Sequence, residues 1–339
     1  MHRRDMMKLG LLGSVSLGRL SLSARGFAQA PSTDHVLPGD GSIASDPKET
    51  IDLWPRTPPG GEALTLVNRV TDRSTDPSRP DRYVDHVGTP SLTVFRPQRP
   101  DGSAVVIAPG GGYVREVLDG ESFETARRLN TAGVTAFVLR YRLPAEGWAN
   151  RSDVPLQDAQ RAMRLVRSRA SRYSLDPVRI GIVGFSAGGH VAASLATRAS
   201  ARVYTPVDEA DMADARASFS VLIYPVVTMG EGAHGGSRSN LLGATPSPAQ
   251  IATYSCERNV SAETPPSFIA LAADDRTVPP ASNGIALFNA LRAANIAAEL
   301  HVFEEGGHGF GIAKIAGKPG AAWPDLLVTW MRRHGFVKS

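Results

Sequence analysis

Cysteine is almost absent from this chain: Cys256 is the only one in 339 residues. An intramolecular disulfide is therefore excluded. The surroundings of that thiol, TYSCERNV, offer no strand-turn-helix and no neighbouring base to activate it. Long apolar runs are missing too. The stretch LGLLGSVSLGRLSLSARG is broken by Arg19 and Arg25 and is too short to span a bilayer. An excess of positive charge disappears once residues 1–30 are set aside. They hold five of the 37 Lys and Arg and one of the 33 Asp and Glu, which leaves 32 of each sign. A nucleic-acid role would want a basic face, and the bulk charge gives none. No H-E-x-x-H pattern or other His/Cys/Asp spacing reads as a metal site. Neither a metal nor an organic cofactor is expected.

What is present at the start is a basic pair, Arg3-Arg4, then Asp5, two methionines and Lys8, then a short, mildly apolar stretch ending in GFAQA. Ala28 and Ala30 form an A-x-A site before Pro31. Residues 1–30 read as an export signal of the twin-arginine kind, cleaved near Ala30 and directing the mature chain to the periplasm or beyond. A disordered basic N-terminus is the alternative.

The remainder is 42% hydrophobic and 21% charged over the whole chain, ordinary for one large α/β domain. Residues 31–62, rich in Pro, Gly, Asp and Ser, are expected to be an extended lead-in, with the catalytic domain running from 63 to 339. LTLVNRV, RYVDHV and SLTVFRP read as early strands. Alternation follows. AVVIAP, TAFVLRY, RIGIVGF, FSVLIYPV, SFIALAA and AELHVFEE are short apolar runs, separated by amphipathic stretches such as VPLQDAQRAMRLVRSRASRYSL. The pattern predicts a mostly parallel sheet with helices on both faces. An insertion of about forty residues, 226–265, breaks it and is expected to form a small cap or binding loop near the site.

One stretch then stands out: VGFSAGGH, Val183 to His190. G-x-S-x-G alone arises by chance about 0.1 times in a chain this long. Here it follows a strand and opens a helix. At such a turn Gly184 and Gly188 keep side chains out of a crowded junction while Ser186 is exposed at the C-terminal edge of the sheet. A serine hydroxyl needs a base, and the base an orienting acid, in the order Ser, acid, His after later strands. The strand SFIALAA ends in Asp274-Asp275, and AELHVFEE leads to GGHGF with His308. Asp275 is favoured over Asp274 by the Val278-Pro279 that follows it. His190, one turn beyond Ser186, is read as a core or supporting histidine, and His301 as structural.

PGGGY, Pro109 to Tyr113, follows the strand AVVIA, so backbone N–H groups of Gly111 or Gly112 can join that of Ala187 as an oxyanion hole. A phosphate loop at this position would need a pattern into which PGGGY does not continue. Tyr113 could line the acyl site or simply pack. His234 and Ser237, in the insertion, could face the alcohol side or lie in solvated loop.

PGGGY, YRLP, PLQDAQRAMRLVRSRA, RIGIVGFSAGGHVAASLA, GSRSNLLG, ADDRTVP and GGHGFG together resemble exported bacterial α/β-hydrolase esterases, related to acetylxylan esterases and more distantly to hormone-sensitive-lipase-type enzymes. The resemblance spans about residues 50–335. Pro109 stands where the lipase type often has histidine, which agrees with the acetylxylan-esterase-like branch. It implies an α/β-hydrolase fold and a triad of Ser186, Asp275 and His308. The implied activity is serine carboxylesterase acting on acetylated xylan or related saccharides. Other small acyl or aryl esters, feruloyl esters included, are the enzymatic alternative. A non-catalytic ligand-binding protein is the remote one.

Overall fold

The computed structural model describes residues 34–338 apart from Asp40 and Pro77, so the expected export signal over residues 1–30 lies outside the described residues. Five short strands come first: β1 (His35–Val36), β2 (Thr50–Asp52), β3 (Arg69–Asp72), β4 (Arg82–Asp85) and β5 (Ser91–Phe95). Then come β6 (Ala104–Ala108), β7 (Glu116–Val117), α1 (Glu124–Asn130), β8 (Thr135–Arg140), α2 (Val154–Ser168), β9 (Ile180–Phe185) and α3 (Ser186–Arg198). The C-terminal part holds β10 (Ser220–Ile223), α4 (Gly235–Leu242), α5 (Pro248–Tyr254), β11 (Ser267–Ala272), α6 (Gly284–Ala293), β12 (Ala298–Phe303) and α7 (Trp323–Arg333).

Eight strands pair in the order β12-β11-β10-β9-β6-β8-β5-β2. Neighbours from β12 to β8 are parallel, and β5 and β2 extend the sheet in antiparallel fashion. The central strands are continuous apolar runs because both faces are covered. Val105 and Ile107 of β6 join a cluster with Leu129 of α1 and Leu327 of α7. Val106 and Ala108 join another with Met163 of α2, Val191 of α3 and Leu287 of α6. Each such buried aliphatic side chain contributes about 1.5–3 kcal/mol. Helix α2 is shorter than its sequence pattern suggests: it stops at Ser168, and a tight turn at Ser171–Tyr173 follows.

The expected boundary at residue 63 is corrected. Strand β2 lies inside the supposed lead-in, yet it is an edge strand of the main sheet, and Ile51, Leu53 and Trp54 are buried. Trp54 Nε1 donates to Asp158 on α2 at 2.8 Å. Three strand residues among Pro, Gly and Asp carry too little periodicity to announce themselves. A second, four-stranded antiparallel sheet, β1-β3-β4-β7, flanks the chain between β2 and α1. Only Arg69–Val70 of LTLVNRV belong to it. Buried Arg82 pairs with Asp46 at 2.5 Å and Asp119 at 2.6 Å, tying the N-terminal segment to the turn before α1.

The insertion over 226–265 contains α4 and α5. Ser247 and Gln250 cap α5 reciprocally, and Ser152 Oγ donates to the carbonyl of Leu241 in α4 at 2.9 Å.

Candidate active site

Ser186 sits where β9 turns into α3, with φ 51°, a left-handed conformation unusual for a residue with a side chain. The surrounding packing explains the glycines. A Cβ on Gly184 would lie 2.2 Å from the carbonyl oxygen of Gly188, and one on Gly188 would lie 2.2 Å from that of Ala108. Neither contact is physically tolerable, so the close approach of helix to strands at this turn requires glycine twice.

His308 lies in the loop after β12. Its Nε2 is 2.8 Å from Ser186 Oγ, and its Nδ1 is 2.7 Å from Asp275 Oδ2. Asp275 is an acceptor only, so Nδ1 carries the proton and the Nε2 lone pair faces the serine hydroxyl. Burial opposes the charge on Asp275. The hydrogen bonds from His308 and from the N–H groups of Val278 (2.9 Å) and Thr277 (2.8 Å) outweigh it and hold the carboxyl below its ordinary range. The D-x-x-V-P spacing thus has a structural meaning: it folds two backbone donors onto the acid. Asp274 instead accepts from the N–H of Gly307 at 2.7 Å, bracing the histidine loop.

The PGGG loop lies beside this line of groups. Gly111 and Gly112 both have positive φ, at 132° and 67°. A Cβ on Gly111 would lie 2.1 Å from the carbonyl oxygen of Arg115. No hydrogen bond among the described residues uses the N–H of Gly111 or Gly112. The N–H of Ala187, in the first turn of α3, has no partner within its own helix. Gly110 is different, because its N–H donates to Glu121 Oε2 at 2.6 Å.

Sequence reasoning missed Glu121. The other oxygen of its carboxyl accepts from Tyr224 Oη at 3.1 Å, and burial pushes its pKa up. Tyr224 in turn packs edge-on against the His308 ring, 5.0 Å between centroids, and its hydroxyl accepts from the N–H of Gly311 at 3.3 Å. Glu121 therefore connects the glycine loop to the histidine loop. The segment GESFETARR reads as an ordinary charged helix start, and the partner lies 103 residues away, so no local signal marks it.

The expectation that Tyr113 lines the substrate pocket is corrected. Its ring is 1% exposed, and its hydroxyl donates to His190 Nδ1 at 2.7 Å. His190 Nε2 donates to the carbonyl of Tyr254 at 2.7 Å, so the ring is neutral, and burial lowers its pKa to about 4. His190 is a buried anchor between α3 and α5. Cys256 lies in the same buried cluster, and burial pushes its thiol up to about 12. Among the described residues no group of three or more His, Cys, Asp or Glu is arranged to hold a metal ion.

A cleft of about 440 Å³ opens over Ser186 and is lined by His308, Gly111, Gly112, His234 and Asn240 among others. His234, the second expected pocket residue, does face it. Its Nδ1 accepts from the N–H of Ser237 at 3.2 Å, and burial lowers its pKa, so the neutral ring keeps its proton on Nε2. Ser237 is buried behind it, its hydroxyl 2.8 Å from Nδ1. Asn240 Nδ2 donates to the carbonyl of Gly112 at 2.8 Å, which fastens the insertion to the glycine loop.

Strand order, a serine on a strained strand-helix turn and an acid and histidine after later strands define an α/β-hydrolase fold. Residues 92–291 match the family described as BD-FAE, and the chain belongs to that family. It is 36% identical to an acetylxylan esterase of Xylanibacter ruminicola over 66% of this chain, and 35% identical to endo-1,4-beta-xylanase B of Butyrivibrio fibrisolvens over 62%. It spans only 44% and 32% of those two proteins. The crystal structure of an acetyl ester-xyloside bifunctional hydrolase from Caldicellulosiruptor lactoaceticus superimposes with a TM-score of 0.70 at 32% identity, covering 87% of this chain and all of that one. No helix among the described residues is long and apolar enough to cross a membrane.

Proposed function

We propose that this chain is a serine carboxylesterase that removes acetyl groups from xylan or related plant saccharides. The observation that carries the reading is the hydrogen-bonded line from Ser186 through His308 to Asp275, 2.8 Å and 2.7 Å long, opening on a cleft. The likeness to proteins named for acetyl esters and xylan supports the substrate class.

In this mechanism His308 Nε2 takes the proton of Ser186 as Oγ bonds to the acetyl carbonyl carbon. The resulting oxyanion meets the N–H of Ala187 and that of Gly111 or Gly112, one such donor supplying about 2.7–4 kcal/mol. The carbon–oxygen bond to the sugar breaks, and His308 returns the proton to the departing hydroxyl. Water, deprotonated by the same nitrogen, then releases acetate and restores Ser186. Asp275 holds the imidazole in the required tautomer throughout. His234 Nε2–H is a donor for the alcohol portion. No cofactor enters these steps.

Acetate release from acetylated xylan, measured beside turnover of 4-nitrophenyl acetate, longer acyl esters and feruloyl esters, tests the assignment. Preference for long acyl chains with no acetate from xylan would overturn it. Export belongs to the same proposal: expressed in a bacterium with a twin-arginine system, the chain reaches the periplasm and loses residues 1–30.

A further inference from the structure

The cleft over Ser186 is lined by three cationic side chains, Arg73, Arg115 and Lys314, and by a single carboxyl, Glu121. That carboxyl does not balance them. Both its oxygens are taken by Gly110 N–H and Tyr224 Oη, and burial pushes it toward the neutral form. Arg73 is matched by Asp81 at 2.6 Å. Arg115 lies over the ring of Tyr83, 5.1 Å to the centroid, and Lys314 is solvent-exposed on the turn after His308. Among the described residues neither has a carboxylate within 4.0 Å. Residues 31–339 carry equal numbers of acidic and basic side chains, so this lining does not reflect a generally basic protein. Two unmatched cations are concentrated where an ester would bind.

We propose that Arg115 and Lys314 select esters that carry a carboxylate, as in acetylated saccharides bearing a uronic acid. The inference rests on the esterase reading above and specifies its substrate. The cations are not needed for the oxyanion, for which backbone N–H groups stand ready. A cleft lined by charge of one sign with low-dielectric walls concentrates the opposite charge and speeds its capture by tenfold or more. A carboxylate held between a guanidinium and an ammonium gains charge-assisted hydrogen bonds that a neutral saccharide cannot make. Because the cations are accessible to solvent, the advantage weakens as salt screens them.

The test compares kcat/KM of the full-length protein for an acetylated xylo-oligosaccharide with and without one uronic-acid branch, and for 4-nitrophenyl acetate against 4-nitrophenyl hemisuccinate. At low ionic strength a carboxylate-bearing ester is expected to lead its neutral counterpart by about tenfold. The first pair reports a carboxylate on the alcohol side, the second one on the acyl side. The lead shrinks toward unity in 0.5 M salt, on the order of the concentration at which screening is strong. It disappears in the Arg115→Ala/Lys314→Ala double variant and persists in Arg115→Lys/Lys314→Arg. Turnover of neutral esters with no charge preference in either pair, or a preference that survives removal of both cations, overturns this inference and leaves the esterase reading intact. No turnover of any ester overturns both.

Discussion

The carboxyl of Glu121 holds the N–H of Gly110 at 2.6 Å and thereby fixes the start of the loop whose next two N–H groups remain unpaired. Through Tyr224 the same carboxyl reaches the loop of His308. Glu121 is a positioning residue in this account, because it acts on the groups around the ester and not on the ester itself. Glu121→Ala should lower kcat about tenfold, the equivalent of ~1.4 kcal/mol, with KM little changed. It also leaves two buried donors unpaired, at about 1–3 kcal/mol of stability. Glu121→Gln, which keeps an acceptor, should restore most of kcat. Steady-state kinetics with urea titrations separate the two effects; equal kcat in Ala and Gln variants would contradict the role.

Gly188 approaches the carbonyl of Ala108 too closely for any side chain. Because that obstacle is backbone, Gly188→Ala must push α3 away from β6. The expected destabilisation is about 1–3 kcal/mol or more, together with loss of activity, since the helix carries Ser186. A variant with unchanged melting temperature and full activity would show that the turn tolerates what the packing forbids.

Tyr113→Phe separates packing from substrate contact. The change removes the donor to the Nδ1 of His190 inside the fold. Stability should fall by about 1–3 kcal/mol, while KM for acetyl esters stays within about twofold, a few tenths of a kcal/mol. A tenfold rise in KM with unchanged stability would return Tyr113 to the pocket.

His190 also predicts a pH dependence. Burial holds its pKa near 4, below the ordinary 6.5, so the folded state keeps the ring neutral. Its contribution is fully present above pH 6.5 and is lost as the pH falls through 4. The loss is on the order of 3 kcal/mol. Asp275, whose pKa is also depressed, loses its contribution in acid as well. Comparing unfolding free energies at pH 7 and pH 4 in wild type and His190→Gln isolates the histidine. A flatter profile is expected in the variant, and an identical slope would contradict the assignment.

The parallel core was legible because AVVIA, IGIVGF and SFIALA are covered on both faces and read as uninterrupted apolar runs. Ser186, Asp275 and His308 were legible because each follows such a strand and is flanked by residues with a geometric task. The small sheet and β2 were not, because strands of two to four residues are held by partners far along the chain. Burial hid the rest. Tyr113 next to three glycines looks like a pocket residue, and only tertiary packing turns it toward His190. Glu121 looks solvated, and only the return of Tyr224 from β10 makes it part of the site. Arg115 and Lys314 are nearly 200 residues apart, so no local motif could reveal that they share a cleft.

The most direct test of the central claim is covalent labelling of Ser186. Incubated with a fluorophosphonate, the wild-type protein should gain one adduct, mapped by peptide mass spectrometry to the segment containing Ser186, and lose acetate release from acetylated xylan in step. Ser186→Ala should take no label and fall in kcat by a factor on the order of 10⁴–10⁶. A wild-type protein that hydrolyses acetyl esters yet takes no label at Ser186, or a Ser186→Ala variant that still releases acetate at a comparable rate, would contradict the account.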